Sequence, residues 1–408
     1  MTSAASSLPD VAVVGTGIAG LAAALALARK GLRVELLGPR KPLPAPEADA
    51  YDPRVYALSP ASRGMLAQLG IWEALPAERI TGVRTMDIRG DHAASGRRPG
   101  RLGLSAWQAG SDYLAWIVES RELERVLRQA VQWSGIRWTD DTLAAFAPAP
   151  AGGGLALSTA SGQTLRARLA VAADGADSRL REMAGLAVAR TPYDATGVVV
   201  HLDAGLPHQE CACQWFTQDG ILALLPMPDT AAGHQVSMVW SMPRGQARAL
   251  LELPEAEQAA VLEHRLAQAT AGRLGALRVR SPLLGFPLAL QHSPLLAHRG
   301  VVLVGDAAHL VHPLAGQGLN LGLGDVAALA EVLGGREPFR AVDDERLLRR
   351  YARARAEPLM AMRIVTDGLF HLFGAPAAPV GWLRNAGLDV VDKLPLLKRL
   401  LVNGAAGA

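Results

Sequence analysis

Three hydrophobic patterns alternate along the chain, and each predicts a different kind of element. Predominantly apolar runs at 10–14, at 32–37, up to Ala173 and at 301–304 predict buried strands, as in a parallel sheet. Apolar residues at helical spacing predict helices over 21–30, over YALSPASRGMLAQLGIWEAL (Met65, Leu66, Leu69), over 120–130 (Leu123, Val126, Leu127, with Ser120 as cap), near 254–271, over 325–333 and over 343–366. Period-two alternation marks 80–118 and 197–287 as strands of a second sheet. A hairpin region spans 136–170 with a glycine-rich turn at 152–154, and the Pro-rich loop KPLPAPEADAYDPR, too polar for a core, delivers Asp52 and Arg54. Alternating buried strands and helices with an inserted sheet make an α/β fold.

Composition narrows the class. The 408 residues suffice for two domains, or for one large domain carrying an insertion. Half are apolar and 19% charged, which excludes disorder and fits an enzyme with an apolar site. The net charge is +3, and apart from pairs such as Arg97-Arg98 and Arg349-Arg350 the basic residues are scattered, so no stripe suits nucleic acid. Cys211 and Cys213 stand two apart in a strand, share a face and are poorly placed to bond each other. A reducing compartment is expected, and a CxC metal site has no further cysteine to support it. The apolar run 11–28 has membrane-spanning length, but its glycines, the lack of a preceding basic residue and its switch from β-branched to alanine-rich argue against a span. A cytoplasmic protein, free or peripherally bound, is the expectation. The tail KLPLLKRLLVNG is amphipathic enough for a surface contact, although a packed terminal helix is the commoner case.

Candidate chemistry gathers at the ends of the apolar strands. Gly15-Thr16-Gly17-Ile18-Ala19-Gly20 lies between the first strand and its helix, the context in which G-x-G-x-x-G signals a dinucleotide. The acid that should meet a ribose is problematic. Glu35 has the spacing but lies inside the second strand, where a salt-bridged glutamate is equally consistent, and the strand tip is Gly38. Asp174-Gly175 turns the chain after another buried strand, with Arg179 behind it. The stretch VVLVGDAAHLVHPLAGQGLNLGLGD (301–325) does the same at Gly305-Asp306, then starts a helix with Gly316, Gln317, Gly318 and Asn320. Glycines at a helix start cost stability, which implies that something flat or anionic approaches the bare N–H groups. His309 and His312 invite a proton-transfer role, but a buried histidine bonded to backbone is the more frequent outcome. No spacing singles out a general base.

In this order, GTGIAG, ADG with Arg179, and GDAAHLVHPLAGQGLNLGLGD resemble the single-component FAD-dependent aromatic hydroxylases, the para-hydroxybenzoate-hydroxylase-like flavoprotein monooxygenases, over nearly the whole chain. DPRVYALSPASRGMLAQLGIW, LAWIVESRELERVL, FTQDGILALLPMP and LRNAGLDVV are similar to the ubiquinone-biosynthesis hydroxylases within that group. The resemblance implies a Rossmann-like FAD-binding domain (1–79, 106–185 and 285–370), an inserted mixed or antiparallel β-sheet substrate domain (80–105 and 186–284) and a helical C-terminal segment (371–408). It implies FAD, with Gly15, Gly17, Ile18, Ala19 and Gly20 at the diphosphate, Asp306 on the ribityl chain and Pro313 beside the ring. The N–H groups of Gly316, Gln317, Gly318 and Leu319, with Asn320 next to them, would face the ring where negative charge gathers on reduction. Arg54 and Arg121 would help hold the cofactor, and Asp174 would sit near the diphosphate and the path of the pyridine nucleotide. Gly38 departs from the acid found in the family. The implied reaction is reduction by NADPH or NADH, reaction with O₂ to a flavin hydroperoxide, and hydroxylation of a polyprenylated phenol, with a polyprenyl-methoxyphenol favoured. Peripheral contact with the inner membrane, or assembly with other quinone-biosynthesis proteins, goes with such a substrate. Alternatives are another flavin oxidoreductase of this fold, such as a prenyl-chain reductase or small-phenol hydroxylase, or a non-catalytic subunit binding FAD or quinone.

Overall fold

The apolar runs form the middle of a six-stranded sheet. Its spatial order is Ala297–His298, Val301–Leu303, Leu169–Ala172, Val11–Val14, Val34–Leu37 and Arg137–Thr139, all parallel except the first edge strand. The chain is seen in a computed structural model that describes residues 8–43, 49–90, 100–148, 154–217, 219–311 and 317–374. Val11, Ala12, Val13, Leu169, Ala170, Val171, Val301 and Val302 are wholly buried, as expected for strands covered on both faces. The helices Ile18–Arg29, Ser120–Trp133 and Gln317–Gly334 cover the sheet, and the alanines of the first let its backbone lie close to the third.

The second sheet is larger and mixed. Ala189–Ala204, Cys211–Thr217, Gly220–Thr230, Gly233–Pro243 and Leu284–His292 pair antiparallel, and Thr85–Arg89 joins Cys211–Thr217 in parallel. The 80–118 stretch therefore divides. Thr85–Arg89 and Arg101–Ser105 extend this sheet, while Thr81–Val83 and Ala115–Glu119 make a small antiparallel sheet with Val55–Leu58. Glu255–Thr270 is the helix expected near 254–271, and Arg244–Leu251 is a further one where alternation predicts strand.

The helix expected over YALSPASRGMLAQLGIWEAL is shorter than its apolar spacing suggests. Its first residues are the strand Val55–Leu58, and the helix is Pro60–Gln68. Proline bars the helical conformation for the residue before it, so Ser59 is extended and becomes the cap, its Oγ accepting from the Ser62 N–H at 3.2 Å. The last described helix, Glu345–Gly374, runs past the expected end at 366. The 152–153 part of the expected hairpin turn and everything after 374 lie outside the described residues. Cys211 and Cys213 share a face, are buried and free, and bring their sulfurs to 3.8 Å. No described helix is long and apolar enough to cross a membrane.

Candidate functional site

From Val11–Val14 the chain passes to Val34–Leu37 on one side, and from Leu169–Ala172 the next parallel strand lies on the other, so a crevice opens outside their carboxyl ends. The glycine turn fills the floor of that crevice. Gly15 has φ +117°, and a Cβ on it would lie 2.1 Å from Ala173 O; a Cβ on Gly20 would lie 2.1 Å from Gly15 O. Gly17 is different, because a Cβ there meets nothing within 4 Å. It caps Ile18–Arg29 without a side-chain hydrogen bond and with no acid in the first turn. The first N–H groups and the positive end of the helix dipole are thus left for an external anion.

The Gly305-Asp306 turn is brought against this floor by small residues. A Cβ on Gly305 would stand 3.2 Å from Ala19 Cβ, and one on Gly322 would stand 3.1 Å from Gly305 Cα, so both helices meet at the turn. Beneath it lies a buried charge network. Asp325, wholly buried, accepts from Gly305 N–H at 2.9 Å, His309 Nε2 at 2.6 Å and Arg355 Nε at 2.6 Å. Burial alone would raise the Asp325 pKa, but His309, Arg355 and the Gly305 amide outweigh it and hold it below the usual carboxylate value. From the other side, buried Arg181 donates to Ala307 O at 3.0 Å. The turn is thereby fixed, and Asp306 is presented to the crevice. Its carboxylate has no hydrogen-bond partner among the described residues and keeps an open face, while protein crowding on its other sides raises its pKa.

Arg54 belongs to the same crevice: it lies 5.0 Å over the Phe286 ring, and its charge acts on Asp306 and on the Tyr56 hydroxyl. Asp52 sets Arg54 and Arg121 together, accepting their backbone N–H groups at 3.1 and 3.0 Å. Asp52 is itself held, its carbonyl by His201 Nε2 at 2.8 Å and its N–H by Glu119 at 2.6 Å. Because a carbonyl only accepts, the His201 tautomer carries its proton on Nε2.

An apolar pocket of about 140 Å³ adjoins the start of Gln317–Gly334. Met86, Ala212 and Leu225 of the large sheet, Ile117 of the small one, and Asn320 wall it. A cavity of roughly 150 Å³ is enough to hold benzene, so one aromatic ring is the natural occupant. Asn320 is a strut here, its amide accepting from Ser59 N–H at 2.9 Å and donating to Ala57 O at 2.8 Å. A larger groove of about 970 Å³ runs between the 290–300 segment and the helix Glu345–Gly374. Among the described residues it touches the 305–325 motif only through Ala308, His309 and Val311 and contains none of the expected cofactor residues, so the small pocket is the better seat for chemistry.

Residues 9–366 match a family described as an FAD binding domain. Over its whole length the chain is 34% identical to a ubiquinone hydroxylase, UbiL, of Rhodospirillum rubrum, spanning 91% of that protein. The chain belongs to the FAD-binding family. It is also 31% identical to the 3-demethoxyubiquinol 3-hydroxylase of Escherichia coli, over 98% of each chain. The crystal structure of p-nitrophenol 4-monooxygenase PnpA from Pseudomonas putida DLL-E4 superposes with a TM-score of 0.74 over 98% of each chain, at 20% identity, which speaks for the fold alone.

The residues present fit FAD. An uncapped helix start suits a diphosphate, an unpartnered carboxylate suits hydroxyl donors, and the apolar pocket suits a ring. Several expected residues have other work. Asp174 spends its carboxylate on its own turn, accepting from the Ser178 hydroxyl and from Leu180 N–H at 3.2 Å. Glu35 pairs with Arg137 at 3.4 Å, the structural alternative for it. His309 is buried, as expected, but its bond goes to the Asp325 carboxylate rather than to backbone. Arg179 is exposed at the start of Arg179–Met183, and Arg181 is the arginine that reaches the turn. Gly318 is open, with nothing within 4 Å of a Cβ. His312, Pro313 and Gly316 lie outside the described residues, as does the side chain of Gln317. Sequence reasoning misses Arg181, Tyr56 and Arg355; only Asp325, at the end of the GLGD motif, carries a local signal.

Proposed function

We propose that the chain is an FAD-dependent monooxygenase hydroxylating the ring of a polyprenylated phenol in ubiquinone biosynthesis, with NADPH or NADH as reductant and O₂ as oxygen source. The observation that carries it is the one-ring apolar pocket at the start of Gln317–Gly334, with Asn320 in its wall. Bound FAD supplies the reduction of O₂ and the activated oxygen.

The chain supplies placement and a dry site. Gly15, Gly17, Ile18, Ala19 and Gly20 offer backbone and helix dipole to the diphosphate, with Asp174 beside them. Asp306 takes the ribityl hydroxyls, while Arg54 and Arg121 steady the cofactor from the loop that Asp52 organises. N–H groups at 317–320 favour charge at the ring edge, with Pro313 and Gly316 assigned there by resemblance alone. Apolar walls around the substrate ring exclude water. By analogy with the relatives named above, a polyprenyl-methoxyphenol is the favoured substrate. Peripheral contact with a membrane follows from such a lipid, and Trp107, 86% exposed just after the strand that carries pocket residue Leu104, is a suitable anchor.

The test is NADPH and NADH oxidation by the flavin-loaded protein with and without a short-chain polyprenyl-methoxyphenol, with mass spectrometry of the product. Stimulated oxidation and a product heavier by one oxygen are expected. Flavin uptake with neither would overturn the hydroxylase reading and leave a binding subunit.

A further inference from the structure

The strand tip where a ribose-binding acid would stand is closed to one. A Cβ on Gly38, at φ +156°, would lie 2.7 Å from Thr16 Cγ2, and Thr16 is buried with its Oγ1 donating to Pro39 O at 2.9 Å. Glu35 is committed to Arg137 within the strand. A carboxylate for the adenosine ribose of FAD would therefore come from elsewhere.

The neighbouring strand offers one. Val34–Leu37 and Arg137–Thr139 run parallel with Leu37 opposite Thr139, and Gly38 N–H donates to Thr139 O at 3.1 Å. The next residues, Gly38 and Asp140, are thus side by side at the carboxyl edge, about 4.8 Å apart by sheet spacing. Asp140 is exposed, and its Oδ1 accepts the Arg40 backbone N–H at 2.8 Å, which draws the carboxylate over the 38–40 turn. Its Oδ2 has no partner among the described residues. The turn is braced: Trp138 Nε1 donates to Gly38 O at 2.8 Å, and the Arg40 guanidinium covers the Trp138 ring at 4.9 Å.

We propose that Asp140 binds the hydroxyls of the adenosine ribose of FAD, doing from the adjoining strand tip what a side chain at Gly38 cannot do. The inference rests on FAD being the cofactor. A carboxylate accepting from a hydroxyl is a charge-assisted bond, and its loss is read as affinity.

The experiment measures dissociation constants of the apoprotein for FAD and for the analogue lacking the 2′-hydroxyl of the adenosine ribose, by quenching of flavin fluorescence. The wild type is expected to prefer FAD by about tenfold, in line with one hydrogen bond to a charged group. Asp140→Ala should weaken FAD and bind both compounds alike. Asp140→Asn keeps an acceptor for Arg40 N–H, which guards against collapse of the turn, and should show a reduced preference. Arg40→Ala keeps its backbone donor and should keep the full preference. An undiminished preference in Asp140→Ala, no preference in the wild type, or loss of preference in Arg40→Ala would each overturn the proposal. A wild type that takes up neither compound would overturn the cofactor reading itself, a separate and distinguishable result.

Discussion

The two ends of the cofactor crevice are built from different materials. At the glycine turn 15–20 the site is backbone: an uncapped helix start, a strand tip and two glycines packed against main chain. At the 305–325 end it is side chain, where Asp325, His309 and Arg355 hold the turn that displays Asp306. A backbone site is specified by a few adjacent residues and contains no titrating group. A side-chain site needs partners from distant elements and carries buried charge, so it has more to lose from one substitution. The contrast teaches where each kind of damage should appear, in fold or in ligand.

The largest expected effect is at the side-chain end. Asp325→Ala leaves Arg355 and His309 facing a hole, and breaking a buried pair this way costs about 3–5 kcal/mol. Thermal or urea unfolding should show it in the apoprotein, before any flavin is added. An apoprotein of unchanged midpoint would break the contrast, since the network would then not hold the fold. At the glycine end the expectation divides by position. Gly15→Ala forces a Cβ into Ala173 O and should destabilise the apoprotein by roughly 1–3 kcal/mol, the usual cost of overpacking. Gly17→Ala meets open space and should leave the unfolding midpoint alone while weakening FAD binding measurably by fluorescence titration. Equal midpoints for the two variants would remove the distinction between packing glycine and ligand glycine.

The same contrast explains what was legible in the sequence. The parallel strands, the first helix and both glycine motifs are local patterns, and they occur where the apolar runs place them. The Ser59-Pro60 boundary was also local, yet apolar spacing ran across it, and helix periodicity overrode a stronger stop signal. Arg355 reaches Asp325 from 30 residues away along the chain, and Arg181 reaches the turn at Ala307 from 126. Neither has a neighbour pattern to mark it, because its partner is chosen by the packing of whole helices. Asn320 was legible as part of a motif, although its amide turned out to brace the strand at Ala57.

Asp306 tests the boundary between the two ends, because it belongs to the side-chain half but is presented to the ligand. Protein crowding on the inner sides of this otherwise open carboxylate raises its pKa, so the folded apoprotein binds that proton more readily than the unfolded chain and gains nothing from the charge at neutral pH. Asp306→Asn should therefore leave the apoprotein as stable or more stable, while FAD affinity falls by about 10- to 100-fold, the range for a charged hydrogen bond. Calorimetry of apoprotein and flavin-loaded protein side by side separates the two effects. A destabilised apoprotein would show that Asp306 is structural and would move it to the class of Asp325.

The smallest expected effect is a pH dependence, which only the side-chain-built parts can supply. Burial lowers the pKa of His201, which holds Asp52 and through it the loop of Arg54 and Arg121. The unfolded state, with an ordinary value of about 6.5, then binds a proton that the folded state resists. Stability from this group is complete above that value and is lost as pH falls through it towards the lower folded value. Asp325 has the same sign, being held below its unfolded value, but its loss begins only in the carboxylate range, below about pH 4. Unfolding midpoints measured from pH 8 to pH 4 should thus be flat at first and then fall gently from about pH 6.5. His201→Gln keeps a donor for Asp52 O and removes that titration, so it should reduce the first decline, the rest of which belongs to His208, whose pKa burial also lowers, and leave the steeper acid one. An identical profile in the variant would mean that the decline originates elsewhere and that the Asp52 loop is insensitive to the histidine beneath it.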